Sequence, residues 1–374
     1  MYITKFDKKN GNKGRVWRSV MVYLITVPIL IAVLGIMLEP NTRKENRKIF
    51  MILSSIILVL IMGLRTQYTG SKDTQIYFRL CESVSQNVDI RQFLGKLDLG
   101  EGNILFSEVG FYVYVWLIGR VFPHAQWLLI ITSLIIVICV AKFIWNNSKD
   151  FCISWLVFVC LGSMTFAMNG MRQSIAMGIC LLADEYAKRR KIIPFLILVL
   201  LAMLFHKSAL FFVIVYGFRG MKFGVKSMLI LGGASLSFIV FANQLSALYD
   251  NIMGEDYYGA ESFEGGSVTF LIYLIAIVMA LLTYKSLKDN LTFAMFAMSI
   301  VGATIYFGRY TSNQMYERMS YYFFFYLILL FPSVMSSLKT RDKQLLSVLF
   351  TILAIALFSY RISKGAFSNY ELFW

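Results

Sequence analysis

Charge is what this 374-residue chain has least of: 15% of its residues are Asp, Glu, Lys or Arg, against 58% hydrophobic. Soluble domains carry about 25% charged and about 45–50% apolar residues, so a soluble enzyme or binding module is excluded. Histidine is nearly absent, with only His124 and His206. The five cysteines, Cys81, Cys139, Cys152, Cys160 and Cys180, form no CxxC pair, and four sit inside apolar runs. They read as small buried hydrophobes, and zinc, iron–sulfur and thiol redox chemistry are left without ligands. There is no Gly-rich phosphate loop and no dinucleotide fingerprint, so nothing points to an ATP-driven pump. The DxD motif of metal-dependent sugar-nucleotide transferases is missing as well. No cofactor and no metal are expected.

What the chain does have is apolar runs of the length that spans a bilayer as a helix, about 20 residues, separated by short polar links. They lie near 17–38, 48–64, 104–122, 126–145, 151–168, 172–187, 192–205, 207–219, 227–248, 267–284, 291–308, 320–337 and 343–360. The expected fold is all-α: a polytopic integral membrane protein of about 12–13 membrane helices, forming one membrane domain over 1–374. Lys and Arg number 36 against 21 acids. In a membrane protein that excess marks cytoplasmic loops and calls for no nucleic acid. Lys5, Lys8, Lys9, Lys13, Arg15 and Arg18 precede the first run, which is long enough to span and lacks a small-residue cleavage pattern. It reads as an uncleaved anchor.

The densest basic cluster, Lys188 to Lys191, is assigned to the cytoplasm by the positive-inside rule. A single helix over 192–219 would then put Arg219, Lys222 and Lys226 outside. Two short halves meeting at His206-Lys207 keep them inside, and they place the loop 249–266, with Asp250, Glu255, Asp256, Glu261 and Glu264 and no Lys or Arg, on the outer face. A broken hairpin is therefore expected at 192–219, with His206 partway into the membrane. Loop 65–103 has five basic and five acidic residues and is read as extracytoplasmic, which requires 104–122 to re-enter or lie in the interface instead of spanning.

Ionisable groups at membrane depth are costly and become candidates for function. Glu108 lies in an apolar run, where a carboxylate needs a proton or a cation. Arg172 and Gln173 open a helix whose N-terminal N–H groups favour an anion. Arg172, His206, Lys207, Arg309 and Arg318 gather on one leaflet, with Arg65 and Lys72 as possible additions. Such a cluster suits a polyanion like a lipid-linked pyrophosphate. A glycosyl transfer also needs a base for the acceptor hydroxyl. Asp73, Glu108, Glu317 and His206 are the available bases: Glu108 is the first choice and His206 the second, Asp73 is held solvated in a polar turn, and Glu317 stands beside Arg318 as a pair that can neutralise itself.

Gly63-Leu64-Arg65, then Gly70, Asp73-Thr74 and Tyr77, resembles the G-L-R-x-x-x-G-x-D-x-x-x-Y stretch of EpsG-type, Wzy-like polysaccharide polymerases, with one residue inserted at Ser71-Lys72. Glu108-Val109-Gly110-Phe111 resembles the E-x-G-[FY] block of that family, Met171 to Ala176 its R-Q-x-I-A block, and Phe205 to Ala209 its F-H-x-S-A block. Arg318 with Tyr321 and Tyr322 resembles an R-x-x-Y-[FY] element. The resemblance implies a multi-pass bacterial plasma-membrane glycosyltransferase. It would join undecaprenyl-pyrophosphate-linked oligosaccharide repeat units into capsular or exopolysaccharide at the extracytoplasmic face, without a metal. Glu108, His206 and Asp73 would be catalytic, and Arg65, Arg172, Gln173, Lys207 and Arg318 would hold the pyrophosphate. Its partners would be the lipid-linked oligosaccharide, membrane lipid, and a chain-length regulator and flippase of the same pathway. The rival readings are a flippase for a lipid-linked anionic sugar, against which no internal repeat is found, and a membrane acyltransferase leaning on His206.

Overall fold

A hydrocarbon solvent leaves each backbone polar group to be paired within its own segment, and the chain answers with helices. The computed structural model describes residues 13–84, 89–95, 108–253, 266–311, 315–364, 367 and 370–373. Lys5, Lys8, Lys9, the acidic residues Glu255, Asp256, Glu261 and Glu264, and Lys96, Asp98 and Glu101 lie outside the described residues. In chain order the helices are α1 (Lys13–Leu38), α2 (Lys44–Gly63), α3 (Lys72–Glu82), α4 (Ile90–Gly95), α5 (Val109–Val121), α6 (Gln126–Asn147), α7 (Phe151–Cys160), α8 (Ser163–Asn169) and α9 (Met171–Lys188). There follow α10 (Ile192–Met203), α11 (Ile214–Phe218), α12 (Val225–Met253), α13 (Gly266–Leu282), α14 (Asn290–Thr311), α15 (Met315–Phe324), α16 (Leu327–Met335) and α17 (Thr340–Lys364). Among the described residues there is no strand, only an isolated antiparallel bridge between Arg65 and Leu372.

Five helices are long and apolar enough to cross a membrane, two bent pairs join them, and five shorter apolar helices complete the set. That is the all-α polytopic architecture the apolar runs predict. Two runs expected to be continuous are broken. Helices α7 and α8 meet at 50°, where Gly162 takes φ 116° and ends the first helix. Helices α15 and α16 meet at 44°. Pro332 in α16 cannot donate to the carbonyl of Ile328, and Ser154 Oγ of α7 donates to it instead at 2.8 Å. Ser154 thereby ties together α7 and α16, two of the most deeply buried helices.

The hairpin at 192–219 is broken where the charge count puts the break. Helix α10, about 18 Å long at 1.5 Å per residue, stops short of the hydrocarbon thickness of about 30 Å. His206 is extended, and the return half begins as a 3-10 helix over Lys207–Val213, not as the regular helix expected, before α11. Both ends of the hairpin lie together. Arg190 Nη1 donates to the Tyr216 carbonyl at 2.6 Å, and the Tyr216 hydroxyl donates to the Arg190 carbonyl at 3.0 Å.

The chain between α2 and α6 also leaves and returns at one end of the bundle. Gln126 Nε2, opening α6, donates to the carbonyls of Gly63 at 2.6 Å and Arg65 at 3.0 Å, where α2 closes. Helix α5 lies within that excursion and is about 20 Å long. It does not cross the bundle; it starts at Glu108 and climbs back to the 122–125 turn. The C-terminal residues close the same end, with Thr66 N donating to Glu371 O at 2.8 Å and Phe373 N to Leu64 O at 3.0 Å. At the opposite end the loops are basic, and Lys149 there pairs with Asp289 at 2.7 Å.

Candidate active site

A glutamate at the mouth of α5 organises the site. Glu108 is 2% exposed and has φ 54° and ψ 30°, left-handed backbone that a non-glycine residue adopts at a cost of about 1–3 kcal/mol. The neighbouring Gly110 makes its position possible. A Cβ there would stand 2.8 Å from Leu204 Cβ and 2.9 Å from the Leu204 carbonyl oxygen, so only glycine lets α5 begin against the end of α10. Both carboxylate oxygens are then engaged. Oε2 accepts from Arg172 Nη1 at 2.6 Å. Oε1 lies 2.6 Å from His206 Nδ1 and accepts from the backbone N–H of Lys207 at 3.2 Å.

The break of the hairpin explains why those donors converge. An extended His206 interrupts the helical ladder, which frees the Lys207 N–H from an intrahelical carbonyl and turns the imidazole toward α5. Arg172, in the first turn of α9, also lies over the Tyr77 ring of α3, 5.3 Å from its centroid. Gln173 Nε2 donates to the Arg318 carbonyl at 2.6 Å and joins α9 to α15. Asp73, Tyr77, Phe166, Gly170, Met171, Arg172, Gln173, His206 and Arg318 line a narrow cleft with a cavity volume of about 20 Å³. Phe166 stacks on Tyr321 at a centroid distance of 4.0 Å and forms one wall.

Asp73, Arg172, Gln173, His206 and Arg318 thus share the cleft, and Glu108 sits behind it, bound to two of them. Lys207 is 3% exposed and joins the group through its backbone. Arg65 stands apart. It is 2% exposed, and its guanidinium donates to the carbonyls of Met62 at 3.1 Å, Thr69 at 2.7 Å and Met168 at 2.6 Å. It braces the start of α3 against the end of α8, four residues before Arg172. Lys72 is exposed, and Arg309 is taken by Glu317.

Three contributions were not legible in the sequence. Glu317 and Arg318 look like a self-neutralising pair, but adjacent residues on a helix do not face each other. Glu317 pairs with Arg309 of α14, and Arg318 turns to the cleft. Phe166, an ordinary apolar residue in an apolar run, carries no signal of a cleft wall. At the basic end Asp184, fully buried on α9, accepts from Arg219 Nε at 2.9 Å and from the Tyr326 hydroxyl at 2.8 Å. The spacing of 35 residues between Asp184 and Arg219 gives no local cue to that pair.

The arrangement has the parts of a proton transfer beside an anion. A carboxylate lies against an imidazole and a guanidinium, a second guanidinium and the first turn of α9 face the same space, and a second carboxylate, Asp73, is among its lining residues. Compared with known proteins, the chain matches the model of the EpsG family over residues 48–372. No curated protein and no solved structure matches it.

Proposed function

The chain belongs to the EpsG family, and on that premise we propose that it is a polymerase joining undecaprenyl-pyrophosphate-linked oligosaccharide repeat units into capsular or exopolysaccharide. The observation that carries the reading is the Glu108–His206–Arg172 constellation, opening into a cleft shared with Arg318 and Asp73. Arg172 and Arg318 would hold the donor pyrophosphate, with Gln173 and Lys207 positioned around them. Guanidinium groups suit this task because their planar forks match phosphate oxygens. They supply the positive charge that a divalent ion supplies elsewhere, so the reading is metal-independent.

His206 is the better base, and Glu108 its positioning residue, because His206 lines the cleft while both oxygens of Glu108 are occupied. Glu108 Oε1 lies 2.6 Å from Nδ1, which favours the tautomer with its proton there and leaves Nε2 of a neutral ring to accept one. The acceptor hydroxyl loses its proton to Nε2 as its oxygen bonds to the donor's anomeric carbon. The bond from that carbon to the pyrophosphate breaks, and its electron pair leaves with the phosphate under Arg172 and Arg318. Asp73 stands across the cleft within the same lining and is placed to take a hydroxyl of the acceptor sugar. Arg65 acts at one remove, through the turn that carries the start of α9.

Charge supports the sidedness. Arg43, Lys44, Lys149, Lys188, Arg190 and Lys339 lie at the end opposite the cleft, which supports a cytoplasmic side there and an extracytoplasmic cleft. Loops 65–103 and 249–266 then lie outside, in a bacterial plasma membrane, where a chain-length regulator and flippase of the pathway would act alongside. Reconstitution of the purified protein with a lipid-linked repeat unit tests the reading. Longer glycans support it. Movement of the unit between leaflets without growth would make the protein a flippase, and an acylated product would make it an acyltransferase.

A further inference from the structure

A second cleft opens at the same end of the bundle, one to two turns further along α3. Its cavity volume is about 370 Å³, against about 20 Å³ at the candidate active site. Gly119 makes its floor: a Cβ there would stand 2.6 Å from the Cys81 carbonyl oxygen and 2.8 Å from Val84 Cβ, so α5 lies directly on the end of α3. Glu82 and His124 are exposed on its rim, between the rings of Phe78, Phe122 and Phe373. Phe122 is itself held flat by Trp127, with centroids 4.8 Å apart and planes 24° apart. The cleft between α11, α12 and α14 is different: its only polar side chains, Ser235 and Thr304, are bonded to each other at 3.0 Å, as suits an acyl chain.

Fixed aromatic faces interleaved with a carboxylate and an imidazole are the chemistry that recognises sugar rings. The C–H faces lie on the aromatics, and the hydroxyls bond to the polar groups. From Asp73, in the candidate active site, to Glu82 is nine residues along α3, about 13 Å. That is within reach of a short oligosaccharide whose end lies at His206. We propose that this second cleft is a glycan-holding subsite, which binds a few sugar residues of the chain being extended while its end reacts at His206. The inference rests on the polymerase reading.

The test uses the full chain in lipid nanodiscs. The probe is a set of short oligosaccharides, free of lipid, made by acid hydrolysis of the polysaccharide of the wild-type strain. Titration should show saturable binding that weakens roughly tenfold on Phe122→Ala, the loss of one stacking contact. Glu82→Gln and His124→Ala, exposed changes that leave packing intact, should each weaken it severalfold. The same variants should shorten the polymer. Wild-type binding and wild-type chain length in Glu82→Gln and His124→Ala together overturn the subsite, as does a cleft that zwitterionic or anionic lipid headgroups fill in place of sugar. Normal polymer from Glu108→Gln and from His206→Ala would instead overturn the polymerase reading, so the two failures are distinguishable.

Discussion

Glu108 faces one guanidinium, one imidazole and one backbone donor, and substitution at each position separates their roles. In Glu108→Gln the amide NH2 meets either Arg172 Nη1, a donor in the native arrangement, or His206 Nδ1, which lies 2.6 Å from the native carboxylate. The imidazole relieves the conflict by moving its proton to Nε2, and it then cannot accept one from the substrate. General-base catalysis contributes about 10²–10⁴-fold, so polymerisation in vitro should fall by on the order of that factor, and by as much in His206→Ala. The double variant should be no worse than either single one, since both remove the same function. Arg172→Lys and Arg318→Lys keep the charge and lose the fork. Each should weaken donor binding by about 1.5–3 kcal/mol, read as a raised KM for the lipid-linked unit. Full activity in both lysine variants would make these side chains headgroup anchors. Arg65→Leu predicts a different signature. It strands three buried carbonyls, each costing about 1–3 kcal/mol, so the loss should appear as reduced thermal stability in detergent ahead of any change in KM.

The decisive element is the junction of α5 with the broken hairpin. Gly110 fixes how close the two approach, and a methyl group at that position meets backbone, which cannot rotate away. Gly110→Ala should therefore displace Glu108 from His206 and abolish polymer while the protein still inserts and purifies as a folded species. Retained activity would show that the α5–α10 approach is not what positions the pair. The hairpin is legible in the sequence because the basic residues at its two ends demand one face. The 3-10 form of its return half is not, because Lys207 to Val213 carry ordinary helix-compatible residues. The kinks after α7 and α15 were equally hidden. Gly162 in an apolar run looks like any membrane glycine, and the consequence of Pro332 depends on Ser154, which lies 174 residues before Ile328, the residue whose carbonyl its hydroxyl donates to.

At the scale of the whole molecule the ends of the bundle differ in charge and in what they carry. In a cysteine-free background, single cysteines at Tyr68 and at His124, both exposed beside the two clefts, should react with an impermeant maleimide on intact cells, and one at Arg190 should not. Labelling at position 190 from outside would invert the molecule and move the chemistry to the cytoplasm. With arginines supplying the charge at the donor phosphates, reconstituted polymerisation should continue at an unchanged rate in EDTA. A rate restored only by Mg²⁺ or Mn²⁺ would assign that charge to a metal ion.

Composition and apolar run length determined that the chain is an all-α membrane protein, because a hydrocarbon solvent leaves helices as the only way to pair the backbone of such runs. Charge distribution determined the broken hairpin and singled out Arg172, His206 and Arg318, which the fold brings to one cleft. Short blocks such as Glu108-Val109-Gly110 and Phe205-His206-Lys207 pointed to the residues. Only the tertiary structure decided how they are arranged. Whether a carboxylate touches substrate or holds the group that does depends on which atoms lie within about 3 Å of it, and those atoms come from segments 64 and 98 residues away in the chain. The same holds for Arg65, which ends an apolar run as a phosphate ligand would. Its bonds to Met168 and Thr69 exist because the ends of α8 and α3 meet at that spot, a coincidence of packing that no local pattern encodes.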